Sequence, residues 1–312
     1  MSSPTAPPPL VSIVCVNYNG EALFESWLAA YRESDYPRLE AIVVDNASSD
    51  RSVEVLSGHP DVQVVASPEN LGFGRGCNLG AARASGELLL FMNPDALLMT
   101  DTVSVLAGDL GDNPDAAVAC ATEIDHDSEH VREDRVEDVA SMAAATMMVR
   151  RDHFEALGGF DPWMFLYSED EDLCYRTWLR GRRVLKSWNA VVWHEAGGVG
   201  GGVRWSGEQI KNVLYVYLKL RPWPAVARKA GMLVAKTVVR GARLRDPSVL
   251  TAWSVNARAL PATLGKRRAE RGAASAEDLA RLERLGAEHA YWARRGWRQR
   301  VRLGVLARLG RR

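Results

Sequence analysis

Cysteine is scarce in this chain of 312 residues, and its four cysteines lie far apart with no Cys-x-x-Cys pair. They are Cys15, Cys77, Cys120 and Cys174. This spacing argues against a zinc knuckle and against a disulfide framework, and it favours a reducing compartment.

Long apolar runs are missing as well. No stretch reaches the roughly 18 apolar residues that a membrane-spanning helix needs. The longest candidate, residues 225–239, is interrupted by Arg228, Lys229 and Lys236. Residues 1–9 have neither a basic start nor an apolar stretch, so we expect a flexible leader there and not a signal peptide.

The net charge of zero hides an uneven distribution. Residues 1–210 carry 15 Lys and Arg against 33 Asp and Glu, whereas residues 211–312 carry 24 against 6. The acidic part suits a metal ion, and the basic part suits the phosphates of lipid head groups or nucleic acid. Beyond Arg221, basic residues on one face and apolar residues on the other predict amphipathic helices, for example at 225–243 and 277–298.

Short β-branched runs alternate with helical patterns between residues 10 and 220. Strands are predicted at 11–16, 41–44, 62–65, 88–91, 118–121, 183–186 and 191–193, with a buried apolar segment at 142–149. Helices are predicted at 21–32, 75–84 and 206–220 and from Glu169 onward, and residues 125–138 are predicted to form an exposed loop. This order predicts an α/β domain with a central, mostly parallel sheet flanked by helices, followed by a basic helical extension at 221–312.

Polar clusters follow three of the predicted strands, at Asn17, Asp45 and Asn93-Pro94-Asp95. In parallel sheets, ligands bind beyond the carboxyl ends of the strands. Each cluster alone is typical of a turn, but three at one edge indicate a ligand site.

A glycine-rich loop at 70–78 invites comparison with dinucleotide-binding loops. Its glycines, Gly72, Gly74 and Gly76, do not fit the G-x-G-x-x-G spacing, and the loop follows the third strand instead of the first. We therefore reject a nicotinamide or flavin site. The loop still places backbone amides and Arg75 near a helix start, which suits an anion or the edge of a base.

The stretch 158–176 combines chain-breaking glycines, an aromatic run and four consecutive acids, Glu169 to Asp172. Acidic residues are favoured at a helix start, and Asp172 is spaced to pair with Arg176. Taken alone, this pattern predicts a solvated helix start.

In this order, the motifs resemble the inverting glycosyltransferases of the large GT-A family 2, and in particular its bacterial rhamnosyltransferase-like branch. The matching stretches are 11–20, 43–50, 70–78, 90–95, 158–161, 169–176 and 193–194. The resemblance covers about residues 10–220 and implies the GT-A fold for that domain.

The resemblance also implies a nucleotide-sugar donor, a divalent metal (Mg²⁺ or Mn²⁺) and direct displacement at the anomeric carbon. Asp95 matches the last acid of the D-x-D metal motif, and His194 matches a further metal ligand. Asn93 stands at the first position of that motif and is expected at the nucleotide. Such a cation would neutralise the charge that develops on the diphosphate leaving group.

Other positions carry over in the same way. Asp45 matches the carboxylate that reads the base, and Asp170 matches the general base that deprotonates the acceptor. Glu169 and Asp172 are neighbours that would raise the pKa of Asp170 by repulsion. Asn17, Tyr18 and Arg75 are expected at the nucleotide. The wall of the acceptor site is predicted to include Trp163, Phe165, Tyr167 and Glu169, although the three aromatic residues fit packing equally well.

The expected function is transfer of a sugar, rhamnose from dTDP-rhamnose or another sugar from a UDP-sugar, to a lipid-linked saccharide or a polysaccharide. The basic region 221–312 would hold the enzyme at an anionic membrane, peripherally on the cytoplasmic side. Two other enzyme classes are alternatives. A glycosidase also uses two carboxylates, and a nucleotidyltransferase also combines a parallel sheet with a bound metal ion. A non-catalytic binding protein is a further alternative. Trp292 and Trp297 interleave with Arg, but no nucleic-acid motif is present and we expect no nucleic acid partner.

Overall fold

A computed structural model describes residues 7–124, 131–142, 145–194, 207–244 and 248–287. The glycine-rich stretch after His194 and the two tryptophans Trp292 and Trp297 lie outside these ranges.

The strands belong to one sheet. They are β1 (Val11–Asn17), β2 (Leu39–Asp45), β3 (Val62–Ala66), β4 (Leu88–Met92), β5 (Ala96–Leu98), β6 (Ala116–Ile124), β7 (Val136–Asp138), β8 (Thr146–Arg150) and β9 (Arg183–His194). Their order is β3-β2-β1-β4-β8-β6-β9-β5, and β7 pairs with β9.

Strand direction decides which residues meet at one edge of the sheet. Strands β1 to β4 are parallel, as predicted, and β6 is parallel to β9. Strand β8 runs antiparallel between β4 and β6, and β5 and β7 are antiparallel to β9. The second half of the sheet is therefore mixed. Strands β1, β2, β4, β6 and β9 all end at the same side, which we call the carboxyl edge.

Helices cover both faces of the sheet. They are α1 (Phe24–Arg32), α2 (Ser52–Ser57), α3 (Phe73–Ala81), α4 (Thr102–Asp112), α5 (Arg151–Ala156), α6 (Glu169–Leu179), α7 (Gly207–Leu220), α8 (Trp223–Leu244) and α9 (Ser248–Gly272). Residues 276–287 are also helical and are called α10.

Alternation along β1 divides the core into two layers. Val14 belongs to the same core cluster as Cys77 and Trp178 on one face, and Ile13 belongs to a second cluster with Trp27 on the other. These side chains are almost fully buried, as expected for strands covered on both sides. The predicted fold class, α/β with a helix-flanked central sheet, is confirmed.

Two local predictions were wrong. Residues 183–186 and 191–193 are not separate strands but parts of the single strand β9. Its pairing with β6 shifts between Cys120 and Thr122, beside the polar residues that interrupt the apolar pattern. The predicted loop 125–138 also contains a strand, since β7 pairs with Ser187 and its neighbours.

The helices after Arg221 pack on the preceding domain. The guanidinium groups of Arg267 and Arg271 on α9 donate hydrogen bonds to the carbonyls of Leu218 and Leu220, at 2.9 and 2.6 Å. These carbonyls lie in the last turn of α7, where intrahelical partners run out. Leu282 of α10 is fully buried in the same core layer as Trp178. Within the described ranges, no helix is long and apolar enough to cross a membrane.

Candidate active site

Asn17 and Asp45 form the first polar pair at the carboxyl edge. They end β1 and β2 and lie opposite each other in the sheet. The amide of Asn17 donates to Asp45 Oδ1 at 2.8 Å, and the backbone N–H of Ser48 donates to Asp45 Oδ2 at 3.0 Å. Both side chains are buried, and the Oδ1 of Asn17 has no hydrogen-bond partner among the described residues. The pair is thus a fixed donor–acceptor unit.

The residue after Asp45 connects this pair to the glycine loop. The amide of Asn46 donates to the carbonyl of Gly72 at 2.9 Å, and the N–H of Phe73 donates to the carbonyl of Phe165 at 2.9 Å. Gly72 has a φ of +76°, and a Cβ there would lie 1.9 Å from the Phe165 oxygen. Only glycine permits this close approach between the glycine loop and the segment before α6.

Asp95 and His194 form a second pair at the same edge. Asp95 immediately precedes Ala96, which pairs with His194 across β5 and β9. The Nε2 of His194 lies 3.4 Å from Asp95 Oδ1, and its Nδ1 lies 3.2 Å from Glu123 Oε2. Hydrogen bonds to these two carboxylates raise the pKa of His194 to about 10. The imidazole therefore lies between two acids, and a cation would compete there with its proton.

The spacing of Asp95 and His194 is compatible with two ligands of one divalent cation. Two ligands at right angles, each about 2.1 Å from a metal, lie about 3 Å apart, close to the separation of Asp95 and His194. A metal-binding histidine is commonly oriented by a carboxylate that binds its second ring nitrogen. Glu123 holds this position next to His194. The described residues contain no cluster of three or more His, Cys, Asp or Glu arranged to hold a metal. The remaining ligands would have to be substrate oxygens and water.

Asp170 lies in the first turn of α6. Its Oδ1 accepts the N–H of Glu171 at 2.6 Å. The two residues before α6, Tyr167 and Ser168, have φ of +73° and +71°. Left-handed conformations are costly for residues other than glycine and concentrate at functional sites. The amide of Asn212 on α7 stabilises this turn by donating to the Tyr167 carbonyl at 3.0 Å.

Glu169 is buried, 6% exposed, at the junction of α6 and α3. A Cβ on Gly74 of α3 would lie 3.4 Å from the Glu169 Cβ. Burial, followed by the charges of Asp170 and Asp172, raises the pKa of Glu169 to about 8. Repulsion from its acidic neighbours thus acts on Glu169, and the predicted rise in the pKa of Asp170 stays a prediction.

Asp172 and Arg176 are paired as predicted, at 2.7 Å, but the prediction of a solvated helix start was wrong. Asp172 is fully buried and Arg176 is 2% exposed. Lys219 of α7 contributes a second cation 2.7 Å from Asp172. Short charge runs give no sign of such burial, because it depends on α7.

The start of α6 lies at the carboxyl edge. Helix α3 begins beyond the end of β3, and its first residues contact Phe165 and Glu169. Asp170 thus lies on the same side of the molecule as the pair formed by Asp95 and His194.

The other predicted residues have varied surroundings. Tyr18 is 45% exposed beyond β1, and Arg75 forms an exposed ion pair with Glu69 at 3.1 Å. The backbone of Asn93 pairs with Ala145 at the end of β4. The roles of these residues at a nucleotide stay predictions.

The predicted acceptor wall is divided. The ring of Trp163 stacks on Tyr215, with centroids 5.2 Å apart, which is a packing contact. Phe165, by contrast, is 44% exposed beside the glycine loop. A role for the wall, which also includes Tyr167 and Glu169, stays a prediction.

Sequence reasoning missed Glu123, Asn46 and Ser48. Glu123 was missed because the fifth strand was predicted to end at residue 121, whereas β6 continues to Ile124. A longer strand would have placed Glu123 at the carboxyl edge. The hydroxyl of Ser48 contacts both Asn17 and Asp45. The only signal for this role in the sequence is that Ser48 lies in the polar turn directly after β2.

Comparison with protein families gives one clear match. The model of glycosyl transferase family 2 matches residues 12–187.

Two curated relatives illustrate the range of the match. An uncharacterized glycosyltransferase from Haemophilus influenzae is 28% identical over 97 residues, covering 30% of this chain and 39% of that protein. The O-antigen chain rhamnosyltransferase WbaN from Salmonella anatum is 22% identical over 209 residues, covering 60% and 66%. The chain thus spans less than half the length of the first relative.

A solved structure shows the same fold. The mannosyltransferase PcManGT from Pyrobaculum calidifontis, in complex with GDP-Man and Mn²⁺, superimposes with a TM-score of 0.60 at 22% identity. The superposition covers 93% of this chain and 83% of that one. At this identity, the likeness shows the fold alone.

Proposed function

The chain belongs to glycosyl transferase family 2, and on this premise we propose that it is a metal-dependent, inverting glycosyltransferase with Asp170 as general base. The observation that carries the proposal is the convergence of three polar groups at one sheet edge. They are the Asn17–Asp45 pair, the Asp95–His194 pair with Glu123 behind it, and the acidic start of α6. A glycosidase needs only two carboxylates across a sugar, and the Asn17–Asp45 unit would have no role in it.

The buried Asn17–Asp45 unit suits a nucleobase. Asp45 offers carboxylate oxygens to a base N–H, and Asn17 fixes the orientation of that carboxylate from one side. Tyr18 is exposed directly beyond the pair, where a base or ribose would lie against its ring. Arg75 and Asn93 are assigned to the nucleotide on the family resemblance.

Asp95 and His194 would hold the divalent cation, Mg²⁺ or Mn²⁺, with Glu123 orienting the imidazole. When bound, such a cation supplies Lewis-acid stabilisation to a diphosphate leaving group. This assignment agrees with the Mn²⁺ in the complex of the mannosyltransferase of similar fold.

Asp170 would accept the proton of the acceptor hydroxyl. The hydroxyl oxygen forms a bond to the anomeric carbon as the bond from that carbon to the diphosphate oxygen breaks, and its electron pair leaves with the diphosphate. One displacement inverts the configuration. The left-handed residues Tyr167 and Ser168 and the buried acid Glu169 fix the start of α6, so that Asp170 is held in place before substrate arrives.

We propose dTDP-rhamnose as donor and a lipid-linked saccharide or polysaccharide of the cell surface as acceptor. The support is the family resemblance and the likeness to a rhamnosyltransferase of O-antigen chains. A UDP-sugar is the main alternative donor.

We also propose that the enzyme is cytoplasmic and binds peripherally to an anionic membrane. Helix α8 exposes Trp223, Met232, Val234 and Val238, and residues 211–312 are strongly basic. Apolar side chains among cations are typical of helices that lie on such a surface.

A thermal-shift panel of nucleoside diphosphates with Mg²⁺ and Mn²⁺ tests the donor class first. The proposal expects dTDP, or else UDP, to raise the melting temperature only when a metal is present. Transfer from dTDP-rhamnose and from UDP-sugars is then assayed with lipid-linked acceptors. No stabilisation by any nucleotide, together with hydrolysis of a simple glycan, would overturn the proposal in favour of a glycosidase.

A further inference from the structure

A buried ionic cluster lies behind α6. We call it the Asp161 cluster, and its members are Asp161, Asp172, Arg176, Tyr215, Lys219 and Lys266. Lys219 is 2% exposed and lies 2.7 Å from both Asp161 and Asp172. The ammonium of Lys266 lies 3.0 Å from both oxygens of Asp161 and 2.8 Å from the Tyr215 hydroxyl.

Each carboxylate in the cluster lies within ion-pair distance of two cations. Burial raises the pKa of Asp161, but Lys219 and the Tyr215 hydroxyl outweigh it and hold that pKa well below its usual range. Three cations, Arg176, Lys219 and Lys266, face the two carboxylates, and Asp161 stays ionised near neutral pH. Removal of either carboxylate would leave buried cations uncompensated.

The cluster holds α6 from the side opposite to Asp170. Asp170 and Asp172 are two positions apart on a helix and so point about 200° apart. Arg176 donates to Asp172 and to the carbonyls of Leu157 and Gly159, at 3.0 and 2.8 Å. The cluster thus joins the first turn of α6 to the Gly158–Gly159 turn.

The groups that donate to Asp161 come from its own loop and from two helices. The backbone N–H of Trp163, in the same loop, donates to Asp161 at 3.1 Å. Tyr215 and Lys219 come from α7, and Lys266 comes from α9, 105 residues away in sequence. Helix α9 therefore reaches the loop that leads into α6, although it lies outside the part matched by the family model.

We propose that Lys219 and Lys266 are positioning residues for Asp170, and that α9 is therefore part of the catalytic unit. This inference rests on the proposed function, because it assumes that Asp170 is the base. Small displacements of a reacting group are costly: a shift of about 1 Å costs up to about 100-fold in rate. A clamp on the opposite face of the first helical turn is well placed to prevent such a shift.

The test compares Lys266→Met with Arg268→Met in the full chain. Lys266 is half-exposed, so its loss should be tolerated by folding, and Arg268 is an exposed cation two positions along the same helix. We expect Lys266→Met to lower kcat at least about tenfold, with the Kd for the nucleoside diphosphate unchanged. Lys266→Arg should restore most of the rate. Arg268→Met should match the wild type.

Assays are run well below the melting temperature of each variant, so that lost stability does not count as lost rate. Lys219→Met is measured where it folds, and Tyr215→Phe serves as a milder change in the same cluster. Wild-type kcat in both Lys266→Met and Tyr215→Phe would overturn the inference. Two other results would contradict the proposed function itself and not this inference: a wild type that transfers no sugar, or full activity of Asp170→Asn.

Discussion

The carboxyl edge of the sheet and the C-terminal helices are built by different means. Asn17, Asp45, Asp95, Glu123 and His194 lie at one edge because of strand direction and pairing. Four of them lie in the last residues of strands that end there, and Asp95 precedes β5, which begins there. The C-terminal helices are positioned by long side chains that reach distant backbone and carboxylates, such as Arg267 to Leu218 and Lys266 to Asp161.

These two ways of positioning residues suit the two regions to different functions. An edge fixed by a hydrogen-bonded sheet provides rigid sites for charged ligands. Helices held by charged side chains can expose an apolar face to the outside, as α8 does, while still supporting the site from behind through α9. Changes at the edge should therefore alter the rate, the metal affinity and the pH dependence of stability, whereas changes on the exposed face of α8 should alter only surface binding.

The largest effect is expected for Asp170→Asn. A positioned general base contributes about 10²- to 10⁴-fold, so kcat should fall by that factor while nucleotide affinity is retained. Initial rates and calorimetric titration with a nucleoside diphosphate measure the two quantities. Glu171→Gln, which alters the next residue, is the control and should stay active. Near-normal turnover of Asp170→Asn would remove the base assignment.

The next effect is expected at the metal pair. Excess chelator should abolish transfer, and Asp95→Ala and His194→Ala should remove metal-dependent nucleotide binding. Glu123→Gln should weaken metal affinity by about 10- to 100-fold, because Glu123 only orients the imidazole. Titration of Mn²⁺ in the presence of nucleotide measures each affinity, with exposed Glu25→Gln as control. Full activity in chelator would contradict the assignment.

A smaller effect, on stability, is expected for Glu169→Gln. Its pKa is about 8 in the folded protein and about 4.3 in an unfolded chain. The folded state thus binds this proton more tightly, and its stability should decline as pH rises from about 4 to about 8. Glu169→Gln should remove this decline, whereas Glu25→Gln should keep it. Urea unfolding across this range measures both, and equal pH slopes for Glu169→Gln and wild type would contradict the burial of an ionisable acid.

The smallest effect is expected on the exposed face of α8. The double change Val234→Ser and Val238→Ser should weaken binding to anionic vesicles by about 1 kcal/mol, a several-fold change, because less apolar area enters the lipid interface. Turnover with a soluble acceptor should not change. Flotation with vesicles measures binding, and Val131→Ser, an exposed valine of the N-terminal part, is the control. Equal flotation of all variants would exclude this face as the membrane contact.

Most of the site residues at the carboxyl edge could be predicted from the sequence, but the Asp161 cluster could not. Asn17, Asp45 and Asp95 were predictable because the end of a parallel strand can be read from a short apolar run followed by polar residues. Glu123 was lost through a strand boundary misplaced by three residues.

Other features have no local signal. Lys266 and Asp161 meet only because α9 packs on α7, and no pattern within either segment encodes that contact. The left-handed residues before α6 are Tyr167 and Ser168, where a prediction would have looked for glycine. The stack of Trp163 on Tyr215 also has no local signal in the sequence.

The most direct test of the central claim is a crystal structure with a nucleoside diphosphate and Mn²⁺, using anomalous scattering to locate the metal. We predict the Mn²⁺ between Asp95 and His194, the diphosphate on its open side, and the carboxylate of Asp170 facing the same cleft. A metal bound elsewhere, or an Asp170 carboxylate turned away from the diphosphate, would contradict the account.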